Sequence, residues 1–203
     1  MLETPVRDRQ AERRQATRTE ILEAAWEIAR DKGLADLTLR DVADLIGMRA
    51  PSLYSYFGSK NDIYDAMFGQ AWSEYLAVVD ETEPTLSADP RSALKQIART
   101  FLDFAIADPA RHQLMNQRTI PGFVPSPESY APSIEVFERG RAQLARFGIE
   151  DLDQFDLFTA LIGGLINAQQ ANDPGGDRWV RLLDDAMDMF ADHVGLSAEW
   201  RRS

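Results

Sequence analysis

The chain contains no cysteine, so a disulfide framework and thiol chemistry are both excluded. Histidine occurs only at His112 and His193, far apart in sequence, which argues against a histidine-built metal site; neither a metal nor a cofactor is expected. No apolar run approaches the ~20 residues of a membrane span, and the N-terminus lacks an apolar signal region. The expectation is a soluble cytoplasmic protein with no membrane partner. There is no alternating strand pattern, nucleophile–base motif or phosphate loop, so an enzyme is not expected. Acids are missing locally too: none falls between Asp44 and Asp62, in a chain whose net charge is −11.

What is present is a helical chain of 203 residues, 44% apolar, ample for a buried core. The charge is unevenly placed. Residues 1–60 hold ten basic and ten acidic residues, whereas residues 61–203 hold twelve and twenty-three. Residues 7–18, RDRQAERRQATR, carry five arginines against Asp8 and Glu12. That composition predicts a flexible basic arm over 1–16, disordered in the absence of a polyanion, followed by a first helix over 19–32 closed by Gly33.

The periodicity predicts an all-α fold of about nine helices. Thr38 can cap a short second helix ended by Gly47, and Pro51 suits the first turn of a third, ended by Gly58. Ser59 can cap a fourth that runs to about Glu81. Further helices are expected near 92–107, from Pro109, and over 133–147, 151–171 and 176–194; TIPGFVPSPESYAP (119–132), with four prolines, is expected to be irregular.

The stretch TLRDVADLIGMRAPSLYSYFGSK (38–60) meets the demands of a helix-turn-helix. Val42, Ile46, Met48 and Leu53 can plug the angle between two steeply crossed helices, Ala43 is small at the crossing, and Gly47 takes the turn. Leu53 and Phe57 point inward, leaving Arg49, Ala50, Pro51, Ser52, Tyr54, Ser55 and Tyr56 outward or at the edge. Hydroxyls can donate to phosphate oxygens, and rings and small side chains can press on thymine methyls. Carboxylates would repel such a partner, and none occurs there. The alternative is that Tyr54 and Tyr56 are edges of the core.

This run, with the preceding ILEAAWEIARDKG, resembles the N-terminal domain of TetR-type transcriptional repressors. The likeness is specific over about residues 17–70 and architectural beyond; a subset of the family also has a stretch similar to QRTIPGF-PSPE-YAP. The resemblance implies a helix-turn-helix DNA-binding domain over 17–60 and a ligand-binding and dimerisation domain over 61–203. It implies a homodimer on a palindromic double-stranded operator. By position it makes Thr38, Tyr54, Tyr56 and Lys60 phosphate contacts and Arg40, Arg49, Ala50, Pro51, Ser52 and Ser55 the base-facing set. Arg49 departs from the small polar residue that many members carry; it suits guanine or a phosphate equally. Where members often have histidine, Tyr56 keeps a donor.

For the body, the resemblance implies an unknown small-molecule effector. Phe101, Phe104, Met115, Phe123, Tyr130, Phe137 and Phe158 could line a cavity, although aromatics at helical spacing are also plain core. Pro109–Pro127 holds no acid, and Asn116, Gln117 and Arg118 stand where the proline loop would meet the cavity. An amphipathic ligand between the fifth and eighth helices is the expectation. Arg111 is better explained by pairing with nearby acids. The wide apolar sectors on 151–171 and 176–194 predict the dimer interface. Repression, activation and ligand-independent DNA binding are not separable from sequence.

Overall fold

The computed structural model describes residues 9–196, and among these it contains nine α-helices and no strand. They are α1 (Arg9–Lys32), α2 (Leu39–Leu45), α3 (Ala50–Leu53), α4 (Lys60–Thr82), α5 (Pro90–Ala107), α6 (Pro109–Asn116), α7 (Pro127–Ala145), α8 (Leu152–Asn172) and α9 (Leu183–His193). Short 3₁₀ turns follow α4 at Glu83–Thr85 and precede α9 at Val180–Leu182.

Local chemistry sets most boundaries. Thr38 Oγ1 accepts the Asp41 amide at 3.1 Å and donates to the Asp41 carboxylate at 2.8 Å, starting α2. The same hydroxyl, followed by Lys32, holds the Asp41 carboxyl below the usual carboxylate range. The end of α2 is a Schellman turn: the Gly47 amide reaches the Asp44 carbonyl, the Met48 amide reaches the Ala43 carbonyl at 2.8 Å, and Gly47 sits at φ +67°. Ser59 caps α4 by accepting the Asp62 amide, and the Asp62 carboxylate in turn accepts from the Gly58 amide at 2.9 Å.

Besides the end of α3, which comes at Leu53 and not at Gly58, three boundaries depart from expectation. Residues 9–16, expected as a flexible arm, are the first turns of α1; residues 1–8 lie outside the described region. The proline-rich stretch is irregular only as far as Ser126, because Pro127 opens α7 and Pro132 sits inside it. A proline at the first helical position forfeits no helical bond. The Ser126 amide and the Ser126 and Ser129 hydroxyls all donate to Asp65 on α4, at 2.6, 2.9 and 2.8 Å. Finally, the segment 176–194 does not become helical until Val180. Ahead of it the Asp173 carboxylate accepts the Arg178 amide, and the buried Gln169 side chain accepts the amides of Trp179 and Val180.

Two apolar cores result. One joins α1, α2, α3 and α4 to Leu114 and Met115 of α6; the other packs α5, α8 and α9 around Leu102, Ile162 and Phe190. Helix α4 lies along α7 and bridges the two regions. A second bond between α1 and the body is Arg30, which donates twice to the buried Asp108 carboxylate, at 2.9 and 2.7 Å. No helix among the described residues is long and apolar enough to cross a membrane.

Candidate functional site

The turn and α3 that follow α2 present a polar, acid-free face. Leu53 and Phe57 are buried beneath it, while Arg49, Pro51, Ser52, Tyr54 and Ser55 are exposed, Tyr54 by 54%. Arg49 is the N-cap residue of α3 and makes no side-chain capping bond. Thr38 and Arg40 are exposed at the start of α2, where Arg40 faces Asp44 at 3.7 Å across solvent. Lys60 lies at the start of α4, its ammonium donating to the Ala35 carbonyl at 2.8 Å. Two members of the expected set are less free than the rest. Ala50 and Tyr56 are half-buried and pack against the core, so Ala50 offers little to a groove and Tyr56 only part of its ring.

The residues that sequence reasoning missed are Arg14 and Arg18. Only residues 50–53 of the third helix are α-helical, and tight turns carry the chain on through Tyr56. The carbonyls exposed at that end are taken from across the fold. Arg14 donates to Ser55 O at 2.7 Å and Arg18 to Tyr56 O at 2.6 Å. Their guanidinium groups lie 5.0 Å from the Tyr56 ring centre and 4.1 Å from that of Phe57. This accounts for a helix that begins at Arg9: the supposed arm buttresses the end of α3. The spacing 14, 18, 21, 25, 28 continues the inner stripe of α1 and was the available signal. Arg18→Ala should destabilise the fold by about 1–2 kcal/mol, the worth of one charge-assisted hydrogen bond and a cation–π contact. Denaturant unfolding checks this.

The body holds a cavity of about 270 Å³. Of the expected lining residues, Phe101, Asn116, Phe137 and Phe158 border it, together with Gln117. A second cavity of about 390 Å³ lies under the proline loop and is bordered by Met115, Arg118, Phe123 and Tyr130. The expected set therefore divides between two spaces that share Asn116, Gln117, Trp72 and Phe137. Phe104 borders neither; it packs on Tyr75 with ring centres 5.0 Å apart, beneath Arg111 at 3.7 Å. Arg111 pairs with Glu74 at 3.1 Å, as expected of it.

The polar groups of the 270 Å³ cavity are largely satisfied by one another. Arg139 donates to Glu83 at 2.9 and 2.5 Å and to Asp80 at 2.6 Å. These bonds, Asp80 first, raise its already high pKa further. Gln143 also donates to Glu83. Gln117 donates to Asn167 at 3.1 Å, and Asn116 lies 3.1 Å from His112 Nδ1. Burial lowers the pKa of His112, against a smaller opposing effect of Asn167, and favours the neutral ring. Sequence reasoning overlooked Trp72 as a cavity residue, although Phe68, Trp72, Tyr75 and Val79 form a readable three- and four-residue stripe on α4.

Comparison with known proteins agrees with this architecture. Residues 21–67 match the model of the bacterial regulatory proteins of the tetR family. The HTH-type transcriptional regulator Rv1816 of Mycobacterium tuberculosis is 30% identical over 102 residues, 50% of this chain and 44% of that protein. The HTH-type transcriptional repressor Rv1353c of the same organism is 25% identical over 161 residues, 79% of this chain and 59% of that one. The chain thus spans about half the length of the curated relatives it matches. Among solved structures, the transcriptional regulator FadR from Bacillus subtilis, in complex with stearoyl-CoA, has the same fold, with a TM-score of 0.68 at 16% identity over 85% of this chain and 96% of that one. The turn-locked helix pair, the acid-free face of α3 and the match over 21–67 converge: residues 21–67 are a helix-turn-helix segment of the kind found in bacterial regulatory proteins of the tetR family.

Proposed function

We propose that the chain is a transcriptional repressor that binds a palindromic double-stranded operator as a homodimer and is released by a small amphipathic molecule held in its body. The observation that carries this reading is the exposed face of α3, which offers a cation and hydroxyls, with no carboxylate, on a helix fixed by the Gly47 turn and by Arg14 and Arg18. The net charge of −11 is not an obstacle, because the acid excess lies outside residues 1–60. Thr38, Tyr54, Tyr56 and Lys60 are assigned to the phosphate backbone and Arg40, Arg49, Pro51, Ser52 and Ser55 to base edges, with Ala50 in a packing role at their margin.

Release follows by linkage. A ligand that fits better when the body spreads the two reading heads must lower DNA affinity, and a coupling of ~1–3 kcal/mol weakens it about 5–150-fold. Helix α4 suits this role, since it starts beside α3, borders the cavity through Trp72, Tyr75 and Val79, and is tied to the start of α7 through Asp65. The stearoyl-CoA held by FadR, a protein of the same fold, supports an apolar-chain ligand.

Gel shift on the DNA upstream of the chain's own coding region, with and without a lipophilic extract, tests the reading. Absence of any sequence preference sinks the operator assignment; a shift that no extract reverses sinks the effector. Two substitutions refine it. Tyr54→Phe is expected to weaken binding evenly across sequences by about 1 kcal/mol, the worth of one hydrogen bond. Arg49→Ala is expected to relax preference at one base pair per half-site by ~1–3 kcal/mol. Equal losses on all sequences would move Arg49 to the phosphate set.

A further inference from the structure

The cavity of about 390 Å³ under the proline loop is walled mainly by apolar groups and carries a single charge, Arg118. Its roof is a fixed part of the fold. Phe123 sits against Tyr64 and Phe68 with ring centres 5.7 and 6.5 Å apart, and Tyr130 stacks on Phe68 at 5.9 Å. Beyond Phe123 the loop is tied to Asp65 through the amide and hydroxyl of Ser126. Of the residues that border the cavity, Arg118, Val124, Tyr130 and Phe137 are exposed, so they lie at its mouth. A valine, a tyrosine and a phenylalanine exposed around one opening form an apolar rim of the kind that marks a binding site.

The charge at this mouth is unanswered. Arg139, the arginine that borders the other cavity, is held by Glu83 and Asp80, whereas Arg118 has no hydrogen bond, ion pair or ring contact among the described residues. The neighbouring side-chain donors are engaged: Ser133 donates to the Tyr130 carbonyl at 2.6 Å, Asn116 to the His112 carbonyl at 3.2 Å and Gln117 to Asn167 at 3.1 Å. No acid borders the cavity, and none occurs from Pro109 to Pro127, in a chain of net charge −11. A guanidinium tethered to nothing can turn over the mouth, and its planar fork matches a carboxylate. A head group held there keeps its contact with water, so the desolvation that penalises buried ion pairs is small. We infer that this cavity takes a monoanionic amphiphile, an apolar chain lodged against Phe68, Phe123 and Phe137 and ending in a carboxylate that Arg118 binds. This deepens the effector reading by naming the ligand's head and the cavity that holds it, and it rests on that reading only for the body being a ligand-binding part.

The test titrates the 203-residue chain, without DNA, with octanoate, 1-octanol and octylammonium, which share a chain and differ in the charge of the head. The net charge of −11 by itself ranks the cation first. The inference ranks octanoate first, about tenfold tighter than 1-octanol, the order of a bidentate ion pair. Arg118→Gln should erase that preference, and Arg118→Glu should put octylammonium first. Both variants replace an exposed side chain, and circular dichroism checks that they fold. Octanoate bound no tighter than 1-octanol overturns the inference, as does a preference that survives Arg118→Gln, or failure of octanoate to bind. If neither variant folds, the ranking of the three probes on the unsubstituted chain decides alone. A gel shift run alongside separates the two claims. Octanoate bound through Arg118 with DNA affinity unaltered rejects effector release and leaves the ligand assignment standing. A shift reversed by a lipophilic extract, with octanoate not preferred, rejects the ligand assignment and leaves the effector reading standing.

Discussion

Gly164→Arg is expected to sediment as a monomer and to lose tight operator binding by at least ~10²-fold, because two linked half-site contacts become one. Along α8, Leu157, Ala160 and Gly164 are exposed at three- and four-residue steps, and Leu182, in the 3₁₀ turn before α9, and Met189 on α9 are exposed by 37 and 71%. That is an apolar face with nothing of its own chain upon it, as an antiparallel pairing of two helices from each subunit would require. The variant isolates association from folding. A Cβ at Gly164 would meet nothing within 4 Å, and exchanging a mid-helix glycine for arginine favours the helix by up to ~1 kcal/mol. The monomer should therefore keep its helical content while its sedimentation coefficient drops. A variant that stays dimeric would place the interface elsewhere.

The second large effect concerns stability. Asp108→Ala should lower it by about 2–3 kcal/mol, since the residue serves two elements at once. Its carboxylate accepts the Arg111 amide at 3.1 Å, capping α6, and takes both bonds from Arg30 on α1. Arg30 is half exposed, so solvent screens part of the pair, and the cap and the hydrogen bonds carry most of the loss. At ~2–4 °C per kcal/mol for a chain of this size, the melting temperature should fall by roughly 5–10 °C. Asp108→Asn can still accept the Arg111 amide and is expected to lose about half as much. If the two variants melt together, the Arg30 pair contributes little.

What was legible in the sequence is what short-range chemistry decides. Thr38, Gly47 and Ser59 mark their boundaries because each acts on groups three to five residues away. The aromatics expected to line a cavity were legible as apolar positions on helices, but not as members of one space or another. Phe101 and Phe123 fall into different cavities, and Phe104 into neither, by virtue of how α4, α6 and α7 cross. Two of the misplaced boundaries share one cause. The first turns of α1 depend on Arg14 and Arg18 reaching carbonyls 41 and 38 residues ahead, and the start of α7 on a carboxylate 61 residues behind. Arginines in a charge-rich stretch look like a solvated tail until the groups they satisfy are in place.

The core that runs from Ile21 through Phe68 and Trp72 to Leu114 and Met115 bears on how the molecule can be cut and how it melts. The reading head does not close its apolar interior alone: Ile63, Tyr64 and Met67, all fully buried in it, belong to the helix beyond, and the Tyr64 hydroxyl is bonded to the Leu34 carbonyl. A fragment ending at Lys60 would surrender that interior to water and should not fold. Heating the whole chain should give a single calorimetric transition in place of a head melting ahead of its body. For recombinant work, a detached reader made from this protein must keep α4 and α6, or borrow a foreign surface to replace them.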